Sequence, residues 1–249
     1  MSSVKVQSGE RAAVDWQKIG ILCVLGFSAS LATWGVLQWK HPLFSVAEQY
    51  SIGMSASNEA REALLAQQAR VNGLNAASVL AVAGGLLAGV LAIFAQPCCA
   101  APMRVLIAIA GGAVWGAMSG WVGVRLFAAM MPSDSLPNPT NIGLAQAVSF
   151  ALFGAGIGLL FGMFSRDKAT LAAGLVRGAV AGQIGGLLFP IVSGLLISGQ
   201  STVDFLAANP MVQLLWLSLP MVAVAATVPI SCRRQTVDHA EASPDKAGD

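Results

Sequence analysis

Charge is what this sequence has least of. Its 14 Lys and Arg and 12 Asp and Glu make up 10% of 249 residues, against about 25% in a soluble globular domain. With 55% hydrophobic residues and a mean hydropathy of +0.69, that scarcity excludes a soluble globule. It also excludes a disordered chain, which needs the opposite balance. A net charge of +2 leaves no basic field for nucleic acid. Histidine is nearly absent: His41 and His239 are the only two, and both lie in polar segments. Bis-histidine haem ligation and a Ser-His dyad therefore have no members, and a zinc site lacks ligands in one place. No Gly-x-x-x-x-Gly-Lys-Ser/Thr run occurs, so no phosphate loop is expected. No metal and no cofactor are expected.

What is abundant is apolar length. Six stretches approach or exceed the roughly 20 residues that cross a bilayer core: Ile19–Gln38, Ala77–Ala95, Arg104–Met131, Ile142–Phe164, Thr170–Ser198 and Met211–Ser231. They are apolar on every face and longer than barrel strands, which alternate over about ten residues. The expected fold is an all-α polytopic bundle of six spans over residues 19–231, with a leader at 1–18 and a tail at 232–249.

Orientation follows from the cations. With the N-terminus inside, Lys5, Arg11, Lys18, Arg104, Arg166, Lys168, Arg233, Arg234 and Lys246 fall on the cytoplasmic side, and only Lys40, Arg61 and Arg70 outside. That asymmetry puts both termini in the cytoplasm. The basic leader, apolar run and small residues Ser28 and Ser30 also fit a cleaved signal peptide. Span length, with Trp16, Trp34 and Trp39 at its ends, favours an uncleaved helix.

The chain also matches itself. Shifted by 62 positions, Arg104–Phe127 lies over Arg166–Phe189 without a gap, and ten of 24 positions are identical, including Arg104/Arg166 and Leu126-Phe127/Leu188-Phe189. The preceding spans are Gly-rich too, so residues 77–131 and 142–198 read as two hairpins in parallel repeat about an axis along the membrane normal. Convergent Gly-rich composition is the alternative. Within the matched helices Gly112, Gly116, Gly120 and Gly123, and again Gly174, Gly178, Gly182 and Gly185, recur every three or four residues. Such spacing keeps them on one side, where a second backbone can approach closely. Packing is the first reading of these stripes; a self-association face or pore lining is the other.

Chemistry inside the spans is sparse. They contain no Asp, Glu or His, which removes carboxylate and imidazole proton relays. Arg125 is near the outer end of its span and reads as a snorkelling anchor. Arg177 is deeper, only about 60° around the helix from Gly174. It is an interface anchor, a packing charge, or with Gln183 part of a polar or anion site for a lipid headgroup. Gln146 and Gln213 are the other amides available to it. Cys98 and Cys99 sit in the turn Gln96–Met103, with Cys23 in the first span and Cys232 beyond the last. Small turn residues are the first reading of the pair, and S-acylation of Cys98, Cys99 or Cys232 the alternative.

Outside the membrane, the loop 40–76 contains a helix-forming stretch, Asn58–Val71, with Ser55, Ser57 and Asn58 as candidate caps. It either runs on into the second span, giving a helix about 57 Å long to Ala95, or breaks at Asn72, Gly73 and Asn75. Pro132–Asn141 reads as a stiff irregular loop and Arg233–Asp249 as a disordered tail.

The Gly-striped hairpins, the Asn58–Val71 helix and the Leu-Phe-Pro at Leu188–Pro190 resemble uncharacterised multi-pass membrane proteins of bacterial genomes over most of residues 40–231. The resemblance implies no activity and no residue role. The sequence-based expectation is a component of the bacterial inner membrane without intrinsic catalysis, acting in helix packing or interaction. Its expected partners are membrane lipids and a second copy or another membrane protein, with no nucleic acid. A small-solute or ion transporter is the first alternative, a lipid-handling enzyme the second.

Overall fold

The computed structural model describes residues 16–40, 42–46, 57–95, 102–130, 139–164, 168–196, 205–206 and 209–241, excluding the side chains of 95, 139 and of 228 onward. Six helices account for nearly all of them: α1 Trp16–Lys40, α2 Asn58–Ala95, α3 Pro102–Met130, α4 Pro139–Phe164, α5 Lys168–Leu196 and α6 Pro210–Glu241. All six are long and apolar enough to cross a membrane. Two connections, α2–α3 and α4–α5, mark one end of the bundle, here the turn end; the other three mark the loop end.

Local chemistry sets several boundaries. Ser57 caps α2, its Oγ accepting from the Ala60 N–H at 3.3 Å. Asn209 caps α6, its Oδ1 accepting from the Met211 and Val212 N–H groups at 2.8 and 3.4 Å, with Pro210 at the first helical position, where a missing N–H costs nothing. Pro139 opens α4 in the same way.

Helix α2 is continuous for 38 residues, so Asn72, Gly73 and Asn75 do not break it. Gly73 makes room for the Trp121 ring, which a methyl there would approach to 2.8 Å. Asn75 is 5% exposed. Its amide accepts from the Phe44 N–H and donates to the Phe44 carbonyl, both at 2.9 Å, pinning the segment after α1. Helix α6 runs on to Glu241, into the stretch given from the sequence as a tail. Extending an existing helix needs no new nucleus, and Arg, Gln, Ala and Glu in this stretch are adequate helix formers.

The helices form two shells. Over the most apolar window of each helix, 56%, 56% and 50% of residues are buried in α2, α4 and α6, against 22%, 28% and 33% in α1, α3 and α5. The first three touch one another and make the inner shell. Among the described residues no two of the outer three touch; α3 lies between α2 and α4, α5 between α4 and α6, and α1 between α6 and α2. The division follows side-chain size. Inner helices contribute Leu80, Leu87, Leu91, Phe150, Phe153, Ile157, Trp216, Leu217 and Met221 to a single core cluster. Outer helices turn small residues inward: Gly26, Ser30 and Thr33 on α1, the glycine stripes on α3 and α5.

Candidate functional site

The glycine stripes are where backbones meet. All eight stripe glycines are buried. A methyl on Gly112 would overlap the Gly84 carbonyl oxygen, and one on Gly84 the Gly112 oxygen. Gly116 faces the Leu80 carbonyl and Gly120 the Ala76 carbonyl. In the next hairpin Gly174 and Gly158 face each other's carbonyls, as do Gly178 and Gly154, while Gly182 faces Phe150 O. Gly26 on α1 takes the same role against Met221 O of α6, at 2.9 Å from an added methyl. The last glycine of each stripe turns to the neighbouring inner helix instead. Gly123 meets Ser149 of α4 and the Phe205 ring, and Gly185 meets Pro220 of α6. In lipid, where apolar surfaces gain little by leaving the solvent, this close approach supplies van der Waals contact that side chains would block.

Some partners were not singled out by sequence. Gly84, Gly154 and Gly158 were seen only as part of a Gly-rich composition, although Gly154 and Gly158 already share the four-residue spacing. The Trp115 ring fills the space beside Gly156, and its Nε1 donates to Leu152 O at 2.6 Å, locking α3 to α4. Nothing in the sequence marks Trp115 and Gly156 as a pair.

The polar side chains divide by depth. Arg125 is exposed, its guanidinium 5.1 Å from the Trp121 ring centroid at the loop end of α3. Arg177 is exposed on α5, about 14 Å along from Lys168, and Gln183 is exposed too. Six residues turn a helix by about 240°, so these two do not share a face of α5. Gln213 is buried and accepts from Gln38 at 2.9 Å. Ser149 donates to Ser119 O at 3.0 Å, and Ser30 pairs with Ser218 at 3.1 Å. These buried groups and Asn75 are each satisfied by a partner on another segment of the chain.

Gln146 is the exception. It is 0% exposed on α4, and among the described residues neither its Oε1 nor its Nε2 has a hydrogen-bond partner; the same is true of Nε1 on Trp216, 1% exposed on α6. Leaving a buried polar group unsatisfied costs about 1–3 kcal/mol. The two residues belong to one layer: Phe150, one turn from Gln146, packs edge-on against Trp216 at 5.0 Å, and Phe205 covers the same indole at 5.7 Å. A separate cleft of about 440 Å³ lies at the loop end between Leu43, Phe44, Gln67 and Arg70.

Arg166, Cys98, Cys99, His41, Ser55, Pro132–Asn138 and residues 242–249 lie outside the described residues. Among those described, no three His, Cys, Asp or Glu side chains come together. Six apolar helices of membrane-crossing length, buried against one another, make the chain a multi-pass integral membrane protein. No known protein family, curated protein or solved structure matches it.

Proposed function

We propose that the protein is a structural or interaction component of the bacterial cytoplasmic membrane, with both termini inside and no catalysis of its own. The observation that carries this reading is the filled centre of the inner shell. Leu80, Leu87, Phe150, Phe153, Ile157, Trp216 and Met221, each no more than 1% exposed, occupy the space where α2, α4 and α6 converge. The backbone contacts at the glycine stripes draw the outer helices close around it. A rigid, closely packed bundle suits presentation of a fixed surface to lipids, a second copy or another membrane protein. It suits alternating access poorly.

The hairpins α2–α3 and α4–α5 are best read as products of duplication. Gly112, Gly116 and Gly120 precede Gly174, Gly178 and Gly182 by 62 residues, while their respective partners Gly84, Leu80 and Ala76 precede Gly158, Gly154 and Phe150 by 74. The pairing register is thus the same in both, and the difference in offset is absorbed in the connections. A parallel relation of this kind is also found in transporters, which makes flux the deciding experiment. Proteoliposomes loaded with a panel of ions and small neutral solutes are expected to leak no faster than protein-free liposomes. Copurification in mild detergent should recover a stoichiometric membrane partner or a homo-oligomer. Solute-selective flux that saturates would overturn the reading in favour of transport.

A further inference from the structure

Three features of the loop half present polar groups that helix packing leaves unused: the Gln146 amide, the Trp216 indole N–H and the carbonyls released by two helix-interior prolines. Proline has no N–H, so Pro190 in α5 leaves the Gly186 carbonyl without its helical partner, and Pro220 in α6 does the same for the carbonyl of Trp216 itself. Gly186 lies directly against α4 at this level: a methyl on it would be 2.9 Å from Ala147 Cα and 3.0 Å from Gln146 O. Pro220 is in turn the residue on which Gly185 packs. Gln146 of α4, Gly186 of α5 and Pro220 of α6 therefore lie at the junction of these three helices, with the Trp216 indole packed on Phe150 one turn from Gln146.

We propose that this junction is an internal hydration site, holding water between Gln146, Trp216 and the released backbone carbonyls. The donor and acceptor set selects the guest. Gln146 Nε2 and Trp216 Nε1 present N–H groups, which repel a cation. Gln146 Oε1 and the two carbonyls present lone pairs, which repel an anion. A neutral guest that both donates and accepts satisfies the set, and water is the smallest. Freed backbone groups in membrane helices are commonly satisfied in this way, and buried waters typically bridge two to four polar groups. The other buried amides of the same half need no such guest, because Asn75 is occupied by Phe44 and Gln213 by Gln38.

The test is NMR detection of water at the indole protons, using the full chain labelled with 15N-tryptophan in lipid nanodiscs. Trp216→Phe identifies the Trp216 resonance by its loss. A water cross-peak is expected at the Trp216 Nε1 proton and none at that of Trp115, which is already bonded to Leu152 O. Gln146→Met, similar in shape but lacking the amide, is expected to abolish the Trp216 cross-peak while leaving the Trp115 resonance in place. Absence of the cross-peak in the wild-type protein overturns the proposal. So does its persistence unchanged in Gln146→Met with Trp115 undisturbed. Should that variant fail to fold, the wild-type spectrum decides alone.

Discussion

Replacing Gly178 by alanine is the sharpest test of the close helix contact between α4 and α5. The added methyl would overlap the Gly154 carbonyl oxygen and lie 3.3 Å from Gly158 Cα. Both obstacles are backbone, so no rotamer change relieves them, and α5 must retreat. The contact runs from Gly174 to Gly186, about 18 Å of helix. A retreat of about 0.5–1 Å forfeits a quarter to a half of each atom pair's attraction of about 0.1–0.2 kcal/mol. Over a few tens of pairs the loss is about 2 kcal/mol, within the range of about 1–3 kcal/mol for overpacked cores. Gly35 on α1 is the control. A methyl there meets nothing within 4 Å, and Gly35→Ala should add about 0.5–1 kcal/mol through helix propensity. Reversible unfolding in mixed detergent micelles, followed by tryptophan fluorescence, measures both. The same propensity gain acts at Gly178, so the two variants should differ by the packing loss, about 2 kcal/mol, with opposite signs. Equal stability of the two variants would show that α4 and α5 do not meet backbone to backbone, and the packing account would fall.

Four further outcomes are expected. Asn75→Leu strands the Phe44 N–H and carbonyl, costing about 1–3 kcal/mol, and should speed limited proteolysis within residues 41–57 when protease is added on that side. Trp115→Phe loses the bond to Leu152 O at about 1 kcal/mol, whereas Gly156→Ala forces the rigid indole out and should cost more; chemical unfolding ranks the two. Arg177→Ala should weaken retention of anionic lipid in native mass spectrometry about fivefold, from about 1 kcal/mol per cation near the headgroups; unchanged binding would remove Arg177 from any anion site. In a cysteine-free background, Ser45→Cys should react with an impermeant maleimide added outside intact cells and a restored Cys98 should not; the reverse pattern would invert the proposed orientation.

Amino-acid order alone was enough for the membrane class and the six helices, because lipid leaves a backbone little choice. Uncharged runs of hydrocarbon length must satisfy their own N–H and C=O groups, and only a helix does so within one segment. The run Thr170–Ser198 therefore reads as a helix despite Pro190, while beyond the membrane that constraint stops acting, and the extension of α6 over Arg233–Glu241 was not read from the sequence. The glycine stripes were equally legible, since spacing of three and four is a one-dimensional property. What they pack against was not. Gly116 meeting Leu80 O and Gly26 meeting Met221 O depend on the register between helices, and no local pattern encodes that. The separation into shells is likewise a tertiary result: α1 and α6 are similar runs in composition, yet α6 is enclosed because bulky residues such as Trp216 and Met221 fill the centre, while α1 lies outside on small ones. The same holds for the amides. Gln146 and Gln213 read alike in the sequence, and only the packing of the helices decided that Gln213 is bonded to Gln38 while Gln146 has no partner among the described residues.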